Sequence, residues 1–216
     1  MGRQPLPAAA AVNLLAALRR YAAHPDAATA AANAVALVVG GNGPFYPAYV
    51  WLLDPEAGRM ALLTMAASPF FLAIPWLSRR SALAARIALP IVGLANTLWS
   101  TALLGAGSGV GLFLLPCLVL AVLLWRDRLA MLGILGLGLA VQQVLLRWPS
   151  ASLAGLDPAQ QAALVVLNAT SVGTLLAFLA LTLAGVLRSV QPHAGAGDNR
   201  LPARALAGQE GLQRSA

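Results

Sequence analysis

The sequence predicts an all-α fold, a polytopic six-transmembrane-helix bundle with an N-terminal interfacial helix. Of its 216 residues, 59% are hydrophobic and only 10% are charged, and the mean hydropathy is +0.76. Soluble domains average about 45–50% apolar and about 25% charged residues. The apolar residues here form blocks of about 17–25 residues, each long enough to cross a hydrocarbon core of roughly 30 Å. This pattern excludes a soluble enzyme domain, a disordered chain and a disulfide scaffold.

Residues 1–27 are predicted to form a cytoplasmic amphipathic segment. Apolar side chains recur at helical spacing within residues 8–23, and Arg19 and Arg20 follow them. Asp26 then provides an N-cap for the next helix. A signal peptide is the alternative, but its basic residues would precede the apolar stretch and a small-residue cleavage site would follow it. An uncleaved helix in the membrane interface is therefore favoured.

The membrane-embedded domain is predicted to cover residues 28–187. Its six apolar spans are residues 28–53, 60–77, 82–104, 109–125, 129–147 and 163–187. Because the number of spans is even, both termini lie on the same side of the membrane. Residues 188–216 are rich in Gly, Ala, Pro and polar side chains, so we expect a disordered cytoplasmic tail.

The arginines predict which side holds the termini. All 14 basic residues are arginines, and only Arg59 and Arg147 fall on the side opposite the termini. The others fall on the side of the termini: Arg3, Arg19, Arg20, Arg79, Arg80, Arg86, Arg126, Arg128, Arg188, Arg200, Arg204 and Arg214. The positive-inside rule identifies that side as the cytoplasm. We expect a bacterial inner-membrane protein with both termini in the cytoplasm. Since this rule accounts for the charge, the expected partner is the lipid bilayer and not nucleic acid, and a cytoplasmic or membrane protein partner is left open.

Tryptophans support these boundaries independently. Trp51 and Trp148 mark outer ends of spans, and Trp76 and Trp125 mark inner ends, where amphipathic rings lie at headgroup level. Trp99 lies deeper in the third span and is expected to pack within the bundle.

Catalytic and cofactor chemistry is not expected. His24 and His193 are the only histidines, and both fall in cytoplasmic segments, so a membrane-embedded haem or zinc site lacks ligands. No Asp or Glu falls within a span, which disfavours proton-coupled transport and leaves nothing to activate a hydroxyl nucleophile. Cys117, the single cysteine, is predicted to be a small buried hydrophobe. We therefore expect no cofactor, no metal and no enzyme activity.

The first span contains an unusual string, GGNGPFYP at residues 40–47. Pro44 lacks the helical N–H group, and its ring clashes with the carbonyl four residues earlier. Residues 28–39 rise only about 18 Å, so the break lies at membrane depth, where freed backbone groups need protein or water partners. Discontinuous helices of this kind line binding sites in transporters. We predict an interruption between Gly40 and Pro47 that faces the bundle interior, with a simple kink near the outer end as the alternative.

Carboxamides recur at one depth in the outer half of the predicted bundle. Measured from the inner end of each span, Asn42 lies about 18 Å up, and Asn96, Gln143 and Asn168 lie about 20–21 Å up. Ser100 shares a helical face with Asn96. The simpler interpretation is interhelical hydrogen bonding, worth about 0.6–2 kcal/mol for each pair. The other is a shallow, uncharged pocket for a neutral, amphipathic or lipid-like ligand, and its candidate residues are Asn42, Pro44, Asn96, Ser100, Gln143 and Asn168.

Two glycine-rich stretches have structural interpretations. In the fifth span, Gly133, Gly136, Ala140 and Gln143 form a stripe of small residues with a polar tip, which predicts close contact with a neighbouring helix. The string GAGSGVG at residues 105–111 is similar to a phosphate-binding loop only superficially, because no strand precedes it. We predict that it is a tight extracytoplasmic turn.

The segment from the third to the fifth span resembles a known family. It reads NTLWSTALLGAGSG at residues 96–109, LFLLP at 112–116 and LWRDR at 124–128. The glycine-rich outer turn, the Phe-x-x-Pro and the short basic loop are similar to those of the six-helix membrane input modules of bacterial adenylate cyclases, diguanylate cyclases and histidine kinases. Members of that family carry a cyclase or kinase behind the sixth helix, whereas this chain continues into a polar tail. The resemblance therefore implies a stand-alone module that signals through a partner or is structural.

The leading hypothesis is a multi-pass, non-enzymatic sensor or receptor-type module that signals through a partner. The alternatives are a small transporter of a neutral or amphipathic solute, which would use the broken first helix as part of its path, and a structural accessory subunit whose polar layer only packs helices.

Overall fold

The computed structural model describes residues 8–125, 127–147 and 151–190, and within these ranges the chain is helical and has no β-strand. The α-helices of these ranges are α1 (Ala8–Ala22), α2 (Ala27–Asn42), α3 (Phe45–Leu53), α4 (Pro55–Ala61), α5 (Ser68–Ser78), α6 (Ala82–Leu104), α7 (Leu114–Leu124), α8 (Arg128–Leu146) and α9 (Pro158–Val190). Segments of 3-10 helix at Leu62–Ala67, Ala106–Ser108 and Val110–Phe113 connect α4 to α5 and α6 to α7. The predictions for Arg126, Trp148, His193 and the tail beyond residue 190 fall outside the described residues.

The described helices are apolar enough to lie in a membrane. Four helical runs have the length and hydropathy to cross one, namely Pro55–Ser78, Ala82–Leu104, Arg128–Leu146 and Pro158–Gly185. Val110–Leu124 is a shorter apolar helix. These runs coincide with five of the six predicted spans, and the sixth, at residues 28–53, divides into α2 and α3.

The division between α2 and α3 confirms an interruption inside the predicted range. α2 ends at Asn42 and α3 begins at Phe45. The Gly43 backbone N–H donates to the Gly40 carbonyl at 3.4 Å, one residue short of the α-helical spacing, because the Pro44 ring disturbs the ladder. Gly43 packs against the Ser68 side chain inside the bundle, whereas Pro44 is exposed. The break therefore faces the interior on its glycine side only.

The stretch between the first two predicted spans, residues 54–59, is instead the start of a helix. Asp54 Oδ1 accepts the backbone N–H groups of Glu56 and Ala57 at 2.8 and 3.1 Å, and Pro55 occupies the first helical turn. An aspartate N-cap followed by proline is a helix-start signal. The second apolar run accordingly begins at Pro55 and not at residue 60.

α9 also begins earlier than predicted, at Pro158 and not at residue 163. Asp157 Oδ1 accepts the Gln160 N–H, and Gln160 Oε1 accepts the Asp157 N–H, both at 2.8 Å. This reciprocal pair is a capping box with aspartate as the cap. Gln160 Nε2 also donates to Asp54 Oδ2 at 3.0 Å, which joins the starts of α4 and α9.

The turn after α6 matches its prediction as a tight turn. Gly105 and Gly109 have φ angles of 86° and 77°, which side-chain-bearing residues rarely adopt. The Ser108 hydroxyl donates to the Gly105 carbonyl at 2.7 Å. The Gly107 N–H donates to Gln161 Oε1 at 3.1 Å, so the first turns of α9 pack against this turn.

The small-residue stripe of α8 does not make the helix contact that its pattern predicts. A methyl group added at Gly133 or Gly136 would meet no heavy atom of another described element within 4 Å, and both glycines are exposed. The packed face carries Gly138, which abuts the Leu118 side chain, together with Val141 and Leu145. The predicted helical period of α8 agrees with the structure, but a different face of the helix makes the contact. The helix is rotated away from the predicted orientation because its larger apolar residues pack against α6 and α7.

α1 packs against the ends of α2 and α5. The Tyr21 hydroxyl donates to the Leu72 carbonyl at 2.9 Å, and Asn33 Nδ2 donates to the Ala22 carbonyl at 3.1 Å and to Ser78 Oγ at 2.9 Å. The outward face of α1 is apolar and has no partner among the described residues: Val12, Leu14, Leu15 and Leu18 are 42–66% exposed.

Asp26 caps α2 as predicted, and this cap gives a pH dependence. The hydrogen bond from the Thr29 hydroxyl, assisted by the Thr29 N–H and by Arg86 at 3.7 Å, lowers the pKa of Asp26 below its ordinary value of 3.8. Because the folded pKa is depressed, the ionised carboxylate stabilises the fold above the unfolded pKa, and this stabilisation is lost as the pH falls through the folded value.

We expect Asp26→Asn, which keeps a capping oxygen but removes the charge, to lower the unfolding temperature at about pH 7 and to lower it by less near about pH 3, because the stabilisation declines once the pH is below the unfolded pKa. Thermal unfolding of the detergent-solubilised protein at both pH values measures this difference. An Asp26→Asn effect of equal size at both pH values would contradict the assignment.

Candidate ligand-binding cavity

A cavity of about 400 Å³ lies between α2, α3, α5, α6 and α9, and we call it the central cavity. This volume is within the range of small-molecule sites, about 300–1,000 Å³. No Asp, Glu, Lys, Arg or His is among the described residues of its wall. The wall contains the polar side chains of Asn42, Tyr46, Thr64, Ser68, Asn96, Thr97, Ser100, Asn168, Thr170, Ser171 and Thr174 and the rings of Phe71, Phe113 and Phe178.

Asn96 and Ser100 present one polar face of α6 to the central cavity. Their Oδ1 and Oγ atoms are 3.5 Å apart, which is the long limit of a hydrogen bond. Ser100 is 6% exposed and Asn96 is half-buried, and Asn96 Nδ2 makes no hydrogen bond with another described group. Asn42 lies at the exposed end of α2, and its amide likewise has no hydrogen bond within the described ranges. These amides are therefore available to a bound molecule.

Asn168 has a different role, because its amide is fully buried and holds three elements together. Its Nδ2 donates to Tyr46 Oη at 3.1 Å and to the Ser108 carbonyl at 2.8 Å. The first bond joins α9 to α3 and the second joins α9 to the glycine-rich turn. Asn168 Oδ1 is buried and has no hydrogen-bond partner among the described atoms. Asn168 thus acts as an interhelical contact in the wall of the cavity.

Two of the predicted pocket residues lie outside the central cavity. Gln143 is exposed on α8, where Arg147 Nη1 donates to its carbonyl at 3.1 Å and to its Oε1 at 3.3 Å. Pro44 is exposed beside the break and does not line the wall. Depth along a helix can be computed from sequence, but the direction of a side chain around its helix depends on packing, and α8 packs on α6 and α7.

The wall also contains several groups that are not among the predicted site residues. Tyr46 belongs to the GGNGPFYP string, so its position beside the predicted break could have identified it as a candidate wall residue. Phe71, Phe113 and Phe178 come from three separate elements and share no sequence pattern, so only the fold brings them together. Asn33 was also missed, and it is a buried interhelical contact near the α1 end of the bundle.

The central cavity opens at the side of the bundle, between α2 and α9. Its exposed wall residues are Val38 and Asn42 on α2 and Thr170 and Thr174 on α9. Thr174 Oγ1 donates to the Thr170 carbonyl of its own helix at 2.9 Å, so this hydroxyl is already satisfied at the opening. The opening therefore faces the surroundings of the helices, beside the middle of α9.

Among the described residues, no group of three or more His, Cys, Asp or Glu side chains could hold a metal ion. Cys117 is free and buried, in agreement with its prediction. The chemistry that the central cavity offers is hydrogen bonding from neutral amides and hydroxyls, together with aromatic and aliphatic contact.

These features define a helical membrane protein with an uncharged cavity inside its bundle. The MASE7 family model matches residues 18–189, a range that contains every element of the cavity wall. The chain therefore belongs to the MASE7 family, a family of membrane-associated sensory-type domains. This membership agrees with the membrane sensor class that the sequence predicts. No curated protein and no solved structure matches the chain.

We expect Asn168→Leu to lower the free energy of unfolding by about 1–3 kcal/mol, because it leaves the Tyr46 hydroxyl and the Ser108 carbonyl without their partner. Gln143→Leu is the matched control, since this exposed amide bonds only to Arg147 nearby, and it is expected to be nearly neutral. Reversible unfolding of both variants in mixed micelles measures the difference. Equal effects of the two substitutions would refute the structural role of Asn168.

Proposed function

We propose that this protein is a non-enzymatic sensory module of the bacterial inner membrane, which binds a neutral or amphipathic molecule in the central cavity and signals through a protein partner. The observation that carries this proposal is the uncharged, laterally open cavity, in whose wall the Asn42 amide and the Asn96 Nδ2 group have no hydrogen-bond partner among the described residues. Membership in a family of sensory-type domains supports it.

The proposed topology has six spans, with both termini in the cytoplasm. In this arrangement α2 and α3 together form the first span, and the run from α4 to α5 forms the second. α1 lies in the inner interface, with its exposed apolar face in the acyl region. Two contacts at the end of α5 support this placement: the Arg79 guanidinium lies 5.3 Å from the centre of the Tyr21 ring, and that of Arg80 lies 4.3 Å from the Trp76 ring.

α9 is the helix through which we propose that the signal passes. It contributes Asn168, Ser171 and Phe178 to the cavity wall and remains helical to Val190, beyond the apolar run that ends at Gly185. A molecule bound against these side chains changes the contacts of α9 with α2 and α7. The partner would read that change at the cytoplasmic end of the helix.

A transporter of a neutral solute is the second candidate, and one feature of the fold disfavours it. On the side proposed to be cytoplasmic, the buried side chains of Val35, Leu89, Leu120 and Leu179 belong to one apolar cluster below the central cavity, and the space left beside them is only about 40 Å³. A solute would have to displace this packed cluster to pass. An accessory subunit with purely structural amides is disfavoured by the Asn96 Nδ2 group, which has no hydrogen-bond partner among the described residues although it lies at the cavity.

The topology is tested by reporter fusions that are active only in the cytoplasm. We expect activity from fusions after Arg128 and after Arg188, and none from a fusion near Gly107, because the arginine-rich connections face the cytoplasm. A periplasm-specific reporter at the same positions provides the control. The opposite pattern of activity would overturn the six-span assignment.

Ligand binding is tested with Asn96→Leu, because loss of this amide leaves a ligand group unpaired. A library of neutral and ionised amphipathic compounds is first screened by thermal shift on the purified protein in nanodiscs. We expect neutral compounds to bind, and Asn96→Leu to weaken the best of them about 5- to 150-fold, equivalent to about 1–3 kcal/mol.

Gln143→Leu is the control for this substitution, since it removes an amide of the same depth outside the cavity, and it should leave affinity unchanged. Absence of binding by every neutral compound, or equal loss with both variants, would contradict the proposed site.

A further inference from the structure

A second, smaller cavity of about 40 Å³ adjoins the central cavity. The two share a wall, which is formed by Val39, Phe71, Asn96, Thr97, Phe113 and Leu175. Beyond this shared wall the smaller cavity is lined by Val35, Leu89, Gly93, Pro116, Cys117 and Leu120, and we call it the lower cavity. Its own lining therefore carries no amide or hydroxyl group.

Polarity changes along the axis that joins the two cavities. Asn96 and Ser100 lie at the upper part of α6, and Leu89 lies two helical turns below Asn96, a distance of about 10 Å. Hydrogen-bonding side chains are thus concentrated at the upper end. At the lower end they are limited to Asn96 and Thr97 of the shared wall, and the Thr97 hydroxyl already donates to the Gly93 carbonyl at 2.9 Å. A molecule that fits both ends must itself be polar at one end and apolar at the other.

The volume and the charge of the cavities restrict such a molecule further. At roughly 30 Å³ for each water-sized group, the central cavity holds on the order of a dozen non-hydrogen atoms. An ionised headgroup would be buried without a counter-charge, because no charged side chain is among the described residues that line either cavity. The lateral opening between α2 and α9 gives access from the bilayer, where an amphiphile is already concentrated.

We propose that the two cavities together bind a single-chain amphiphile with an uncharged, hydrogen-bonding head, which enters from the bilayer between α2 and α9. The head contacts the Asn42 and Asn96 amides, and the chain points toward Gly93 and Cys117. This inference rests on the proposed function of the central cavity as a ligand site and adds the class and orientation of the ligand.

Gly93 and Cys117 set the length of chain that fits. A methyl group added at Gly93 would lie 2.6 Å from Cys117 Sγ, so α6 and α7 are already in close contact at the end of the lower cavity. The bilayer solvates a methylene group as well as the cavity does, since lipid chains are as apolar as leucine. Chain length therefore affects occupancy through fit, and binding should pass through a maximum as the chain grows.

The first experiment uses primary alkyl alcohols from about six to about sixteen carbons, a series that brackets the dozen or so non-hydrogen atoms of the cavity. Binding to the protein in phosphatidylcholine nanodiscs is measured by thermal shift, with each alcohol expressed as its mole fraction in the bilayer. We expect a maximum near the middle of the series, and no shift from alkyl carboxylates and alkyl trimethylammonium ions of the same lengths.

Cys117→Met tests the lower cavity, because methionine adds two non-hydrogen atoms there and adapts to irregular space. We expect the optimal chain to shorten by about two carbons and affinity for the longest alcohols to fall about fivefold or more. Val122→Met is the matched control, since Val122 is 51% exposed on the same helix, and it should keep the wild-type optimum.

A second measurement uses the wild-type protein alone, so it does not require any variant to fold. A dodecanol probe with a diazirine at its terminal carbon should label the peptides around Gly93 and Cys117 in the wild-type protein, and excess unlabelled decanol should prevent this. Labelling confined to outward residues such as Leu132 or Val166 would overturn the proposal.

The outcomes separate this inference from the proposed function. If Asn96→Leu weakens alcohols while Cys117→Met folds and leaves the length optimum unchanged, the ligand site stands and the head-to-chain orientation is wrong. If neither the alcohols nor any neutral compound of the screen binds, the site and this inference both fail.

Discussion

The geometry of the bundle near α3 and the glycine-rich turn depends on the Asn168 carboxamide. In an apolar interior a buried amide needs partners, and this one donates both to the Tyr46 hydroxyl and to the Ser108 carbonyl. Gln161, two turns earlier on the same face of α9, accepts the Gly107 N–H. Two amides of one helix thus position the break between α2 and α3 and the glycine-rich turn. The central cavity lies beside these elements and takes its shape from them.

Several features of the fold were predictable because they depend on local sequence. Apolar blocks placed the helices, since every backbone group in hydrocarbon needs an internal partner. Asp26 was recognisable as a cap, and the GGNGPFYP string as a break, because both act within a few residues. The starts of α4 and α9 are equally local, because Asp54 and Asp157 cap these helices, but hydropathy by itself does not reveal polar caps that precede an apolar run.

The depth of each candidate site residue along its helix was predictable, but the direction of its side chain around the helix axis was not. Asn42, Asn96 and Asn168 all reach the central cavity, whereas Gln143 does not, although all four were placed at one level. Rotation of α8 follows from Gly138 and Val141, whose contacts lie on α6 and α7 and cannot be read from α8 by itself. The aromatic wall was also inaccessible to sequence reasoning, because its rings come from elements that are distant along the chain.

Some of the amides are interhelical contacts, and others line a pocket. Asn33 and Asn168 are fully buried and bonded between elements, as contacts should be. Asn96 is half-buried and keeps an unbonded Nδ2 at the cavity. A large empty space inside a soluble core would cost stability in proportion to its volume. Within a bilayer, a lateral opening lets lipid chains occupy such a space, and lipid is as apolar as the helices around it. An open cavity therefore costs this bundle little, and its dimensions are governed by the hydrogen-bonded turn and break above it.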